Sequence, residues 1–187
     1  MFFPRLWAPC VALAVLSGCA TYIAPPYSAN YSALDALKQA PIERLSVGPL
    51  QPRDPAAPVN RLSLRGANLV AGQGSFAQYL EAALIQDLRE ISVYDPAAQT
   101  RIDGTILQNE INVADFSTGT GLMEVELRVT RAGQTRLKKV YRTETRFESS
   151  FAGAVAIPKG QSEYGYLVRT LLGTVYADPE FINAIKK

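Results

Sequence analysis

Few side chains in this 187-residue chain combine a reactive group with neighbours that would use it. Cys19 is the foremost. Its thiol, a potent nucleophile once ionised, stands directly behind the small residues Ser17 and Gly18, where an extended backbone fits the groove of a processing enzyme. Carboxylates come next. Glu124 and Glu126 share one face of a strand-like stretch, and Asp103, Glu110 and Asp115 lie nearby in sequence. Two carboxyls facing each other across a cleft, roughly 5–9 Å apart, are the equipment of glycoside hydrolysis. Glu alternating with Arg along a hairpin is, however, the ordinary composition of a solvated face with cross-strand ion pairs, and that is the expectation here. Two glycine-bearing stretches could cradle an anion. "AGQGSF" at residues 71–76 precedes a helix start, but it lacks the lysine and spacing of a phosphate loop and reads as flexible helix entry. "STGTG", Ser117 to Gly121, reads as a mobile hairpin loop.

What is missing narrows the chemistry further. The chain has no histidine and only two cysteines, Cys10 and Cys19. Ser-His-Asp and Cys-His catalysis and the usual zinc ligands are therefore absent from the sequence. No catalytic residue, metal ligand or cofactor is assigned, and the composition argues against an enzyme. A net charge of +2 without a long basic tract argues against nucleic acid as a partner.

The setting of Cys19 is a three-part leader. Arg5 supplies a single cation, an apolar run extends from about Leu6 to Leu16, and small residues follow. The run is well short of the ~20 residues needed to span a bilayer as a helix. Leu16-Ser17-Gly18-Cys19 resembles the bacterial lipobox. That resemblance implies cleavage between Gly18 and Cys19, and acylation of Cys19 as a covalent lipid anchor to the membrane. Two or more acyl chains suffice for stable anchoring where one does not. The residue after the cysteine is Ala20 and not the aspartate that commonly signals inner-membrane retention, so the resemblance points to the periplasmic face of the outer membrane. Cys10 would leave with the leader, so the mature chain has no disulfide to form.

The expected organisation is a signal peptide over 1–18, an anchor and proline-containing tether over 19–41, and a single α+β periplasmic domain over 42–187. In the tether, Pro25-Pro26 favours an extended stand-off, and "SALDALKQA" adds a turn or two of helix with Ser32 as cap and Leu34 and Leu37 facing the body. "IERLSVGPL" and "NRLSLRGANL" are two short strands around a proline-rich loop. The next segment, "SFAQYLEAALIQDLREI", is a helix with Phe76, Leu80, Ala83, Leu84, Leu88 and Ile91 on one face, and Ser75 with Gln78 forms a capping box. Strands follow in "TRIDGTILQNEINV", where Gly104 suggests a bulge or close approach, in "LMEVELRVTR" and in "RLKKVYRTETRFESSF". Two helices close the chain, the first with Tyr164, Leu167, Leu171 and Val175 inward, the second capped by Asp178 with Pro179 in its first turn. The simplest architecture is a mostly antiparallel sheet of four to five strands with two to three helices packed on one face.

"SSFAGAVAIPKGQ", Ser149 to Gln161, fits neither a clean helix nor an alternating strand. It is either a buried crossover or an exposed apolar loop that docks on a partner or the membrane. Phe151, Val155 and Ile157 are the candidate docking residues, because binding residues favour loops held by a rigid scaffold. In layout the chain is similar to small Gram-negative envelope lipoproteins, among them auxiliary lipoproteins of ABC-type lipid transport systems, YajG-like lipoproteins and LptE-like lipopolysaccharide assembly proteins. The residues carrying that likeness are "LSGC", "GSFAQYLEAALIQDL", "IDGTILQNEI" and "KKVYRTETRFESSF". It implies a non-catalytic accessory of an envelope complex for lipid, lipopolysaccharide or protein export, with a lipid as a possible ligand. A peptidoglycan-linked structural lipoprotein or an activator of cell-wall synthesis is the alternative.

Overall fold

The structure, a computed structural model, describes residues 20–72 and 74–187. The expected leader, and the cleavage and acylation expected at Gly18 and Cys19, lie outside the described residues. The centre of the molecule is a four-stranded sheet in the order β2-β5-β6-β7, formed by β2 (Leu45–Pro52), β5 (Thr100–Asn112), β6 (Thr118–Arg131) and β7 (Gln134–Glu148). The last three form an antiparallel meander, and β2 joins β5 in parallel. Ala132 and Gly133, both at positive φ, close the β6–β7 hairpin. Such a two-residue turn matches the natural twist of the strands. Alternation does what the sequence implies: Met123, Val125, Leu127, Val129, Leu137, Tyr141 and Phe147 are buried on one face. Helix α2 (Phe76–Glu90) covers that face over β2, and α3 (Gly153–Ala177) covers it over β6 and β7. The short α4 (Pro179–Ile185) follows, with Asp178 as its cap. The fold is α+β.

Five expectations need correction. The 20–41 segment is not a stand-off. Its strand β1 (Thr21–Ile23) pairs in parallel with β4 (Ala67–Val70), and its helix α1 (Tyr31–Lys38) packs on α3. Leu34 and Leu37 are buried as expected, but the cap is Asn30, whose side chain accepts from the Ala33 amide, and not Ser32. The physical reason is the outer flank of α3, which would face water without this cover. "NRLSLRGANL" is not one strand but a tight hairpin of β3 (Leu62–Leu64) and β4, turned at Arg65-Gly66. Strands β1, β4 and β3 make a second, three-stranded sheet.

"STGTG" is mostly strand, not loop: Thr118 to Gly121 open β6. A Cβ at Gly119 would come within 2.1 Å of the Phe147 ring and one at Gly121 within 2.5 Å of the Thr145 hydroxyl, so these glycines make room for β7 side chains. The "SSFAGAVAIPKGQ" stretch becomes the first turns of the 25-residue α3 from Gly153 onward. Pro158 obscures this in sequence, because it cannot donate the helical bond to Ala154. Packing compensates, as Ala156 is fully buried and Gly160 lets the helix close on the strands beneath.

A Cβ on Gly160 would lie 2.7 Å from Val113 Cγ1 and 3.3 Å from side chains of Leu64 and Ile111. Gly160→Leu is therefore expected to lose about 1–3 kcal/mol by overpacking, despite the better helix former. Gly153→Ala, whose added methyl has only Ile157 at 3.8 Å, should be neutral or slightly stabilising. Urea unfolding midpoints of the two variants check this, and equal midpoints would remove the close approach as a constraint.

Candidate functional site

Two surfaces and one buried cluster stand out. The first surface is an apolar end built around Arg65. Arg65 sits at φ 50° in the β3–β4 turn, a left-handed conformation rare outside glycine. From there its guanidinium spans two other loops. Nε donates to the Val113 carbonyl at 2.7 Å and Nη2 to Asp115 at 3.1 Å, while Nη1 donates to Phe151 at 2.6 Å and Nη2 to Ser150 at 2.8 Å. Four hydrogen bonds from one planar fork thus hold the β5–β6 loop against the entry to α3. The Asp115 carboxylate tightens its own loop by accepting from the Ser117 and Thr118 amides, which hold it below the usual carboxylate range.

Phe116 and Phe151 project from these two loops. Their rings meet edge to face, 5.1 Å between centroids, yet stay 68 % and 74 % exposed. Val155 lies one turn on and is also exposed, whereas Ile157 packs on the core. Of the three sequence-derived docking residues, two therefore form a surface and Ile157 does not, since α3 turns it inward. Phe116 escaped the sequence reading, and only its position as a lone aromatic inside a polar loop hinted at it.

The second surface is a groove of about 790 Å³ between the edge strand β7, the second half of α3 and α1. Among the described residues no strand pairs with β7 on this side, so it is an edge strand. Val140 and Tyr166 are exposed in the groove, and the Arg169 guanidinium lies 5.3 Å from the Tyr166 ring centre. Lys139, held by Asp178 at 3.0 Å and Glu180 at 2.8 Å, fixes one end.

Of the acidic residues weighed in sequence, Asp115 lies in the loop of the first surface, and Glu124, Glu126 and Asp103 are taken up by ion pairs on the sheet. Glu124 pairs with Arg142 and Glu126 with Lys138, each at 3.4 Å across strands, and Asp103 pairs with Arg101 along its own strand. "AGQGSF" is helix entry, with the capping box of Ser75 and Gln78 in place. The carboxylate that the sequence hid is Asp87 on α2, which is completely buried. Its Oδ2 accepts from Tyr27 at 2.7 Å and Tyr176 at 2.9 Å, and its Oδ1 has no partner. Burial pushes this carboxyl up to about 6, against the pull of the two phenols. The cluster ties the N-terminal segment to α2 and α3.

A carboxyl that titrates higher in the folded than in the unfolded state contributes stability below its unfolded value, lost as pH rises through about 6. The protein should thus be more stable at pH 5 than at pH 7 through this residue, by about 1.3 kcal/mol. Asp87→Asn should flatten that dependence. Thermal midpoints of the two proteins across this range decide it; parallel curves would show that Asp87 does not titrate there.

No family model matches this chain, and no curated protein matches its sequence. Solved structures do resemble its fold. A Xanthomonas campestris protein of the family DUF330 superposes with a TM-score of 0.56 at 12% identity, covering 84% of this chain and 95% of that one. A hypothetical protein from Chlamydia trachomatis gives 0.45 at 9% identity over 76% of this chain and 99% of its own. A proposed lipoprotein from Caulobacter crescentus gives 0.40 at 13% over 79% and 97%. The first of these likenesses shows a shared fold.

Proposed function

We propose that the protein is a lipoprotein held at the periplasmic face of the bacterial outer membrane by acylated Cys19, and that it acts without catalysis as a binding component of an envelope export complex for lipid, lipopolysaccharide or protein. The observation that carries the binding role is the open edge of β7 in the groove beside α3. An unpaired strand edge lined by tyrosines offers main-chain hydrogen bonds and apolar contact to an extended segment of a partner protein. Leu16-Ser17-Gly18-Cys19 supports the address. Among the described residues no helix is long and apolar enough to cross a membrane, which fits a lipid anchor.

In cells, Cys19→Ala should move the protein from the membrane fraction to the soluble periplasm. A photoreactive residue at Val140 should crosslink an envelope protein, and Tyr166→Asp should weaken that adduct several-fold. A Cys19→Ala variant that stays membrane-bound would sink the anchor. Absence of a protein adduct from Val140 and from Tyr166 alike would sink the binding role.

A further inference from the structure

Leaving the groove aside, the exposed aromatic end has a particular relation to the start of the folded chain. The Asn68 amide donates to the Ala20 carbonyl at 2.9 Å. Asn68 is only the second residue of β4 after the Arg65-Gly66 turn, so Ala20 lies at the turn end of the small sheet. Gln161 gives the same answer from the other side. Its side chain donates to the Ile23 carbonyl at 2.7 Å. From that contact β1 runs back to Ala20 by about 10 Å, and α3 runs back to Gly153 by about 12 Å. Both segments therefore begin at the end where Arg65 holds Phe151. Cys19 is one residue before Ala20, so no linker separates the expected acyl chains from this end of the domain.

We propose that Phe116, Phe151 and Val155 form a membrane-contact patch that dips into the lipid interface next to the anchor and fixes how the domain stands on the bilayer. This rests on the acylated Cys19 of the preceding reading. A flexible anchor alone would let the domain tumble. Apolar side chains entering the headgroup and upper acyl region beside it add buried apolar area and remove that freedom. The patch is suited to the task because its geometry exists before contact: the two rings brace each other and the Arg65 fork holds both loops. Ala152 and Ala154 are also exposed there and leave the approach unobstructed. Among the described residues Arg65 bonds neutral carbonyls and forms no ion pair. Its charge suits lipid phosphates. The one acid in these loops, Asp115, directs its carboxylate to its own loop amides.

The sequence allows a clean test, because its single tryptophan, Trp7, and its other cysteine, Cys10, both precede Cys19. The chain from Cys19 to Lys187, which contains the whole described fold, would be coupled through its one thiol to a maleimide-headgroup lipid. The vesicles would be phosphatidylethanolamine with a minority of phosphatidylglycerol, brominated at the upper acyl carbons. With Phe151→Trp as reporter, the emission should shift to the blue and be strongly quenched by the bromolipid. Tyr166→Trp in the groove should be neither shifted nor quenched. Adding Phe116→Ser to the Phe151→Trp reporter should reduce its quenching several-fold without unfolding the domain. Equal quenching at the two reporter sites, or none from Phe151→Trp, would overturn the proposal. Mass spectrometry of the N-terminal peptide from cell envelopes answers separately for the anchor: an unmodified Cys19 would defeat that reading and leave the vesicle result to judge the patch.

Discussion

The apolar face of the β2-β5-β6-β7 sheet sets the terms for the rest of the molecule. Its two faces carry different chemistry because side chains alternate along β6 and β7, and the face holding Met123, Val125, Leu127 and Val129 has to be withdrawn from water. Helix α2 covers only the β2 side of that face, so α3 must extend over β6 and β7 for 25 residues. A helix that long, lying on a sheet, exposes an outer flank of its own. Strand β1 and helix α1 close part of it, and this draws the proline-rich N-terminal segment into the fold. The Tyr27–Asp87–Tyr176 cluster then locks that segment to both helices. An ionised carboxylate is costly at such a depth, and two phenol donors at 2.7 and 2.9 Å make it tolerable.

The same geometry separates the two candidate surfaces. The aromatic end lies at the start of α3, around Phe151 and Val155, while the groove begins near Tyr166. At 1.5 Å per residue, the groove starts roughly 16 Å further along the helix. A domain standing on its aromatic end would therefore present the groove segment of β7, Lys139 to Arg142, away from the lipid surface. Membrane contact and partner contact need not compete.

Arg65 shows how a turn can organise a distant surface. A type of residue rarely found at positive φ occupies the β3–β4 turn, and its four hydrogen bonds to carbonyls of residues 113, 115, 150 and 151 give a reason for keeping it there. Without that fork, the loops carrying Phe116 and Phe151 would be linked mainly by the Ser149 amide bonding to the Ser117 carbonyl.

Periodicity alone determined the amphipathic α2 with its capping box, the β6–β7 hairpin with its solvated ion-paired face, the inward residues of α3 and the Asp178 cap of α4. Each depends on neighbours a few residues apart, and the packing agreed with those local preferences. The lipobox-like Leu16-Ser17-Gly18-Cys19 is equally local, being four consecutive residues. Only the tertiary structure decided the rest. Pro158 breaks the helical pattern by removing a donor, yet burial of Ala156 and Gly160 carries the helix through it. Thr118 to Gly121 has the composition of a loop, but partner strands and the bulk of Phe147 make it strand. In the 20–41 segment the only large aliphatic residues are Ile23, Leu34 and Leu37, too short a pattern to announce a fold of its own, and it becomes ordered because α3 offers it a surface. Nothing in the spacing of α2 singles out Asp87, whose burial follows from Tyr27 and Tyr176 closing over it. Phe116 and Phe151 lie 35 residues apart in sequence. Their meeting depends on the hydrogen bonds of a third loop, and such long-range bonds leave no periodic trace in the sequence.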